Sequence, residues 1–283
     1  MFKKTSLITG ATSGIGYETA LKLCQLDHRL ILIARNKNKA SKVKNSLITQ
    51  NPGAEIMLFT VDLVDQDMIR KAAEKISNEI SQLDVLINNA GIWNSKKELT
   101  SDGLEYVFAV NHLGYFLLTS LLYPLLVKSN DARIINISSD SHFQGKIHFE
   151  DLSLGKHYHG LRSYAQSKLA NVLFTYELDR RKPHKHISVN AVQPGLIKTD
   201  IGLKHTSKLH ALAWKVRRLG GVSAEFGAKT PVFLANDAGI KGISGKYWDD
   251  CNTKKSSPAS YDQNMAKKLW ELSLELCSMT NFF

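Results

Sequence analysis

Tyr164 and Lys168 stand four residues apart in Tyr164-Ala165-Gln166-Ser167-Lys168, a spacing that puts both side chains on one face of a helix. A free phenol ionises near pH 10, too high for a base at neutral pH. An ammonium about 4 Å away contributes about 4 kcal/mol at an effective dielectric of about 20, before desolvation is counted against it. That is roughly a thousandfold in acidity. The pair therefore suits proton transfer to or from a carbonyl or alcohol oxygen. Ser138 and Ser139 close an apolar run, and a hydroxyl at that position suits hydrogen bonding to the same oxygen. Asn111 lies inside an apolar stretch, where a buried amide needs a partner. Either it holds a water on a proton path to Lys168, or it is a satisfied core amide.

Far upstream, Thr9-Gly10-Ala11-Thr12-Ser13-Gly14-Ile15-Gly16 follows a short apolar run and opens an amphipathic stretch. Strand, glycine turn and helix together form a phosphate-binding unit. Gly10 permits the tight exit from the strand. Gly14 and Gly16 let the backbone approach a pyrophosphate, with Thr12, Ser13 and Ile15 completing the turn. The next apolar run ends in Ala34-Arg35-Asn36-Lys37, with no carboxylate to bind a ribose 2′-hydroxyl. Arg35 is suited to a 2′-phosphate, helped by Asn36 and Lys37, so NADP(H) is expected. The alternative is a surface arginine at a strand end. Asp62, followed by Leu63, is placed to accept from an adenine amino group. Asn88-Asn89-Ala90-Gly91 offers small residues that let the chain pass close to a cofactor, and amides that tie strand ends together. For both segments a plain turn is the alternative.

The elements that must position these groups alternate along the chain. Strands are predicted at 6–9, 30–34, 55–61, 84–88, 133–138, 187–193 and 245–248. Helices are predicted at 16–26, 37–49, 65–81, 103–127, 163–181, 224–234 and 258–277. Strands apolar throughout and separated by helices predict an α/β fold: a single-domain, Rossmann-type, doubly wound parallel sheet over residues 1–283, with helices on both faces. Each motif then falls at the carboxyl end of a strand or on the helix that follows.

Bulk properties narrow the function. The chain has 283 residues, 43% of them hydrophobic, enough for a sizeable core. Lys and Arg outnumber Asp and Glu by 37 to 26, but no aromatic-basic recognition module accompanies them, so no nucleic-acid partner is expected. The basic surface is read as solvated and favourable to an anionic cofactor. At most it gives peripheral membrane contact through Lys215, Arg217 and Arg218 beside Leu212 and Trp214. The apolar stretch 116–127, broken by Pro124, is about half a membrane span, and a soluble cytoplasmic protein is expected. Cys24, Cys251 and Cys277 have no metal-like spacing; no metal site is expected, and the thiols are read as reduced.

Taken together, these motifs resemble the short-chain dehydrogenase/reductase family, and the resemblance covers nearly the whole chain. Its elements appear in the family's order: the glycine turn, Asp62, Asn88 to Gly91, Asn111, Ser139, Tyr164, Lys168 and Pro194-Gly195. The resemblance implies a catalytic tetrad of Asn111, Ser139, Tyr164 and Lys168, with Ser139 rather than Ser138 taken by motif alignment. It also implies a nicotinamide-side loop from Pro194 and Gly195 through Ile197 to Thr199. Asn111-His112-Leu113-Gly114, Ser167-Lys168-Leu169-Ala170-Asn171, Ala34-Arg35-Asn36 and Leu269-Trp270-Glu271-Leu272-Ser273 are similar to the retinol-dehydrogenase-like branch, where the strand-two motif accompanies NADP(H).

The expected function is therefore NADP(H)-dependent hydride transfer between nicotinamide and a carbonyl or alcohol. The substrate is read as a lipophilic small molecule such as a retinal-like aldehyde, a ketone or a steroid. Segments 140–162, with His142, Phe143, Ile147, Phe149, His157, Tyr158 and His159, and 202–221, with Leu203, Leu209, Leu212, Ala213 and Trp214, are read as substrate lids, with surface packing as the alternative. The helix at 163–181 is apolar around most of its circumference, which predicts either a homodimer or cover by the chain's own carboxyl-terminal helix. The rival functions are a catalytically silent NADP(H)-binding regulator and a nucleic-acid-binding module.

Overall fold

The structure, a computed structural model, describes residues 3–156, 158–197 and 221–283. Thr199, His157, the lid residues Leu203, Leu209, Leu212, Ala213 and Trp214, and the basic group Lys215, Arg217 and Arg218 lie outside the described residues.

The strands are β1 (Thr5–Thr9), β2 (Arg29–Ala34), β3 (Ile56–Thr60), β4 (Val85–Asn88), β5 (Ala132–Ile137), β6 (Ile187–Gln193), β7 (Lys246–Asp249) and β8 (Asn252–Lys254). They join in one sheet of order β3-β2-β1-β4-β5-β6-β7-β8. Every pairing from β3 to β7 is parallel, and β8 runs antiparallel to β7. Strands β1, β4, β5 and β6 are buried at every position, as a sheet covered on both faces requires. Successive residues feed opposite faces. Leu7, Leu86 and Ile134 join one apolar cluster, and Ile8, Ile87 and Ile135 join the other. The winding direction reverses between β1 and β4, which opens a crevice at their carboxyl ends. This is the Rossmann-type doubly wound arrangement.

The helices are α1 (Gly14–Gln25), α2 (Lys37–Gln50), α3 (Gln66–Glu79), α4 (Tyr106–Val127), α5 (Gly160–Arg181), α6 (Ala224–Asn236) and α7 (Gln263–Leu276). Helix α4 starts later than its hydropathy suggests, because Glu105 caps the Val107 and Phe108 amides. It carries a π turn at Ala109–Leu113. Pro124 does not interrupt it: the helix continues through the proline, which sits on the exposed side. The expectation of a cytoplasmic protein is corrected here. It rested on an apolar run half a span long, whereas the continuous helix Tyr106–Val127 has 22 residues and mean hydropathy 1.4, enough by length and composition to cross a membrane. Most of that apolar window, 83%, is buried inside the fold, so α4 is also a core helix, and its hydropathy gives no ground for a cytoplasmic assignment.

Of the two readings of α5, the structure contains the second. Its apolar circumference is covered by α7 and the terminal residues. The Phe174 ring lies 6.1 Å from Trp270, Trp270 lies 4.6 Å from Phe282, and Ser120 Oγ donates to the Phe282 carbonyl. A polar ladder crosses the core. Asn88 Nδ2 donates to Asn136 Oδ1 at 2.9 Å, Asn136 Nδ2 donates to Thr175 Oγ1 at 2.9 Å, and Thr175 donates to the Asn171 carbonyl. These bonds fix β4, β5 and α5 in register.

Arg133 is 2% exposed within β5. Its Nη1 donates to the Leu234 and Asp237 carbonyls at the end of α6, and its Nη2 donates to Asp131 at 2.7 Å. Arg133→Leu strands those carbonyls and is expected to cost about 3 kcal/mol, visible as a lower midpoint in urea unfolding; an unchanged midpoint would deny Arg133 this capping role.

Candidate active site

The glycine turn is held by the end of β4. Thr9 Oγ1 accepts from the Asn89 and Ala90 amides, both at 2.9 Å, and Asn89 Nδ2 donates to the Thr9 carbonyl at 2.8 Å. Gly10 has φ +70°, and a Cβ there would lie 2.8 Å from Ala90 Cα. A Cβ on Gly16 would collide with Asn89 Nδ2 and the Gly10 carbonyl. Only glycine lets α1 start this close to the sheet. Helices α2 to α7 each have a side chain accepting from their first turn, whereas Ser13 makes no such bond for α1. With no acidic residue in its first turn either, α1 offers free amides and a positive dipole end to an anion.

From this turn a cleft of about 770 Å³ runs along the strand ends. Gly10, Thr12, Ser13, Gly14, Ile15 and Gly16 line it, with Asn89, Ala90 and Gly91 beside them. At one end are Arg35, Asp62 and Leu63. Arg35 Nη1 lies 3.3 Å from the Tyr106 hydroxyl and 3.8 Å from Asp62 Oδ2. Asn36 Oδ1 accepts from the Lys39 amide while the residue lines the cleft and keeps its Nδ2 donor, and the lysine that reaches the cleft is Lys39, not Lys37. Tyr106 and Lys39 escaped the sequence reading. The one comes from a distant element, and the other sits a half-turn inside a helix of many lysines.

Ser138, Ser139, Tyr164 and Lys168 gather at the other end, beside Pro194, Gly195 and Ile197. The two serines differ sharply. Ser138 Oγ is bound to the Lys168 carbonyl at 2.8 Å, whereas half-buried Ser139 caps the short 3₁₀ turn Asp140–Gln144 and keeps its hydroxyl at the cleft wall. The Lys168 ammonium nitrogen lies 5.5 Å from the Tyr164 ring centroid and donates to the Ile137 carbonyl at 3.0 Å. Lys168 is 2% exposed, and burial pulls its pKa down to about 7. The fold holds the Lys168 charge at a desolvation cost.

Asn111 stands behind the cleft and does not line it. Its amide is engaged: Oδ1 accepts from the Ile92 amide at 2.8 Å, and Nδ2 donates to the Ile92 carbonyl and to Ser167 Oγ. The satisfied-amide reading describes it, with one Oδ1 lone pair left over. Glu105 is a further buried group that the sequence did not reveal. Besides capping α4, its carboxylate accepts from Ser163 Oγ at 2.9 Å and Tyr158 OH at 3.3 Å, so it joins α4 to the start of α5, next to Tyr164. Burial raises the Glu105 pKa, opposed by the Phe108 and Val107 amides and by the Ser163 and Tyr158 hydroxyls.

In the expected lid 140–162 some of the named residues are packed, whereas Phe143 is exposed. Tyr158 binds Glu105, His159 caps α5, Phe149 lies under Lys268, and His142 is wholly buried. Among the described residues of that segment, Ser141 and Leu161 face the cleft, and Leu161, Leu196 and Trp93 give it an apolar surface.

Residues 4–210 match the family model described as short chain dehydrogenase. Retinol dehydrogenase 14 of Mus musculus is 38% identical over 289 residues, an alignment covering 96% of this chain and 85% of that protein. The crystal structure of an uncharacterized protein from Mycobacterium Paratuberculosis is 31% identical with a TM-score of 0.77, covering 99% of this chain and 95% of the other. A short chain dehydrogenase from Shigella flexneri complexed with NADP shares the fold at a TM-score of 0.68 and 22% identity, covering 88% of this chain and 97% of its own.

Proposed function

The chain belongs to the short-chain dehydrogenase family, whose members are oxidoreductases acting on alcohol and carbonyl groups with a nicotinamide cofactor, and we propose that it uses NADP(H) on a lipophilic substrate such as a retinal-like aldehyde, a ketone or a steroid. One observation carries the reading: Ser139, Tyr164 and Lys168 meet in the same cleft as the glycine turn. That turn fits an anionic dinucleotide, because its glycines leave space that a Cβ would fill and the α1 amides are uncapped. The residues that would hold it are those of the turn, together with Arg35, Asp62, Leu63, Asn89, Ala90, Gly91, Lys168, Pro194, Gly195 and Ile197, and Thr199 by resemblance.

When bound, the nicotinamide supplies or accepts the hydride. The protein handles the proton and the geometry. In reduction the Tyr164 hydroxyl donates its proton to the substrate oxygen, and in oxidation the phenolate accepts one. Ser139 donates a hydrogen bond to that oxygen as charge develops on it. Lys168, when charged, stabilises the Tyr164 phenolate. Asn111 acts chiefly by holding Ile92 and Ser167, and so the α4–α5 spacing, with its free Oδ1 lone pair available to a water.

Support for NADP(H) comes from Arg35 and Lys39, since the end of β2 itself supplies no carboxylate, and from the NADP-bound relative in fold. Support for a lipophilic substrate comes from the apolar surface of the cleft and from a relative named for retinol. The test is turnover of retinal and other lipophilic aldehydes and ketones with NADPH and NADH in parallel. Arg35→Ala is expected to raise KM for NADPH by about tenfold or more and to change KM for NADH little. Faster wild-type turnover with NADH, or equal effects of the substitution on both cofactors, would refute the NADP(H) assignment.

A further inference from the structure

His142 follows Ser139 in the 3₁₀ turn Asp140–Gln144 and is wholly buried. One ring nitrogen, Nε2, lies 2.9 Å from the Ser257 backbone amide. A backbone N–H only donates, so Nε2 must present its lone pair. The ring proton therefore sits on Nδ1, which lies 2.8 Å from the Ser139 carbonyl and donates to it. One neutral tautomer satisfies both bonds, and no other does. The ring is clamped between Phe143 and Tyr247, at centroid distances of 4.4 Å and 4.8 Å.

Ser257 itself is anchored. The neighbouring Ser256 Oγ is bonded to Tyr176 OH of α5 at 2.7 Å and to Ser260 Oγ at 2.7 Å, and the Ser256 amide donates to Tyr261 OH. The segment after β8 is thus tied to the helix that carries Tyr164 and, through one imidazole, to the backbone of Ser139. The Ser139 carbonyl also accepts from the His142 backbone amide at 3.0 Å, a bond that stays within the turn, and among the described residues the Ser139 hydroxyl contacts only the Ser141 amide and hydroxyl, both at 3.2 Å.

We propose that His142 is a positioning residue for Ser139: by joining the Ser139 carbonyl to the Ser257 amide it fixes the direction of the Ser139 hydroxyl into the cleft and makes the 256–261 segment part of the support of the reaction centre. The inference rests on the reading of Ser139 as the hydroxyl that orients the substrate oxygen. It has a pH consequence. A protonated imidazole would turn an N–H toward the Ser257 N–H and break the link. Among the described residues, the charged or titratable groups facing His142 are Asp140, Lys254 and Tyr247. Burial pushes its pKa below the usual histidine range, opposed by the Ser139 carbonyl and Asp140 and assisted by Lys254. The link therefore holds at neutral pH and is lost as pH falls through that lowered value.

Two variants and one background test this. His142→Phe keeps a ring and removes both bonds. His142→Gln keeps a donor and an acceptor on one terminal amide, with nothing to titrate. His142→Phe is expected to lower kcat by about tenfold or more, as a small misplacement of an orienting group does, with NADPH affinity from fluorescence titration unchanged. His142→Gln is expected to retain most of kcat and, in carbonyl reduction, where Tyr164 and Lys168 act protonated, to lose the acid limb that His142 is expected to give the wild-type kcat profile. In a Ser139→Ala background, His142→Phe is expected to cost nothing further. Wild-type kcat in His142→Phe, an acid limb that persists in His142→Gln, or an undiminished effect in the Ser139→Ala background would each overturn the proposal. If His142→Phe fails to fold, the pH profile of His142→Gln decides. A fully active Ser139→Ala would instead remove the assignment of Ser139 itself, and the inference with it.

Discussion

Tyr164→Phe is expected to lower turnover by about a thousandfold, the scale on which a positioned proton donor acts, while NADPH binding stays at its wild-type strength. The asymmetry follows from where the hydroxyl stands. Tyr164 lines the cleft with its side chain half-buried, and its backbone carbonyl is held by Ser167 Oγ at 2.8 Å. Removing the oxygen alters neither that bond nor the contact of the ring with Lys168. The glycine turn and Arg35, which would hold the nucleotide, stand elsewhere along the cleft. Turnover of the best carbonyl substrate and fluorescence titration of NADPH measure the two effects separately. A variant that kept full turnover would deny the phenol its role. The rival regulator makes the opposite prediction, since a nucleotide sensor should tolerate this change in every assay.

The second large effect joins activity to stability. Lys168→Met is expected to abolish most turnover and yet to stabilise the nucleotide-free protein. An ordinary lysine titrates near 10.5, and in the fold Lys168 does so at about 7. Between those two values the unfolded chain binds more protons than the folded one, so this group makes stability rise with pH across that window. Below pH 7 its full cost is present. At neutral pH that cost is on the order of 4 kcal/mol. Methionine fills similar space without the charge. Urea unfolding at pH 6, 8 and 10 should show the variant ahead of wild type at pH 6, with the gap closing by pH 10. Parallel curves at all three values would mean that Lys168 is not held at this cost. A core that spends stability on a reaction group is common where chemistry demands it.

The sequence revealed strands well where burial on both faces made them apolar throughout, as in Leu7-Ile8 and Ile134-Ile135. It did not reveal β8. Asn252, Thr253 and Lys254 are polar edge residues, and the turn before them places Asp250 and Cys251 at φ 44° and 60° without a glycine to announce it. The helix expected over 258–277 breaks at Asp262 because that carboxylate caps α7, leaving a separate 3₁₀ turn at Pro258–Tyr261. In the candidate site, the glycine turn and the Tyr164–Lys168 pair were legible because their function needs fixed local spacing. Glu105, Tyr106 and His142 were not, because each works through partners 53, 71 and 115 positions away in sequence. Within 140–162, the packing of His142 and Tyr158 was not legible for a related reason: aromatic and imidazole side chains look the same in sequence whether they face a cleft or a core.

The amide ladder under the sheet has a consequence outside catalysis. Asn136-Ile137-Ser138 spells a glycosylation sequon, but Asn136 is at 0% exposure, with its Oδ1 and Nδ2 both engaged by Asn88 and Thr175. A sugar on that nitrogen and this sheet exclude each other. Any glycosylated form of the chain would therefore carry a record of an encounter with the transferase before β5 closed against β4.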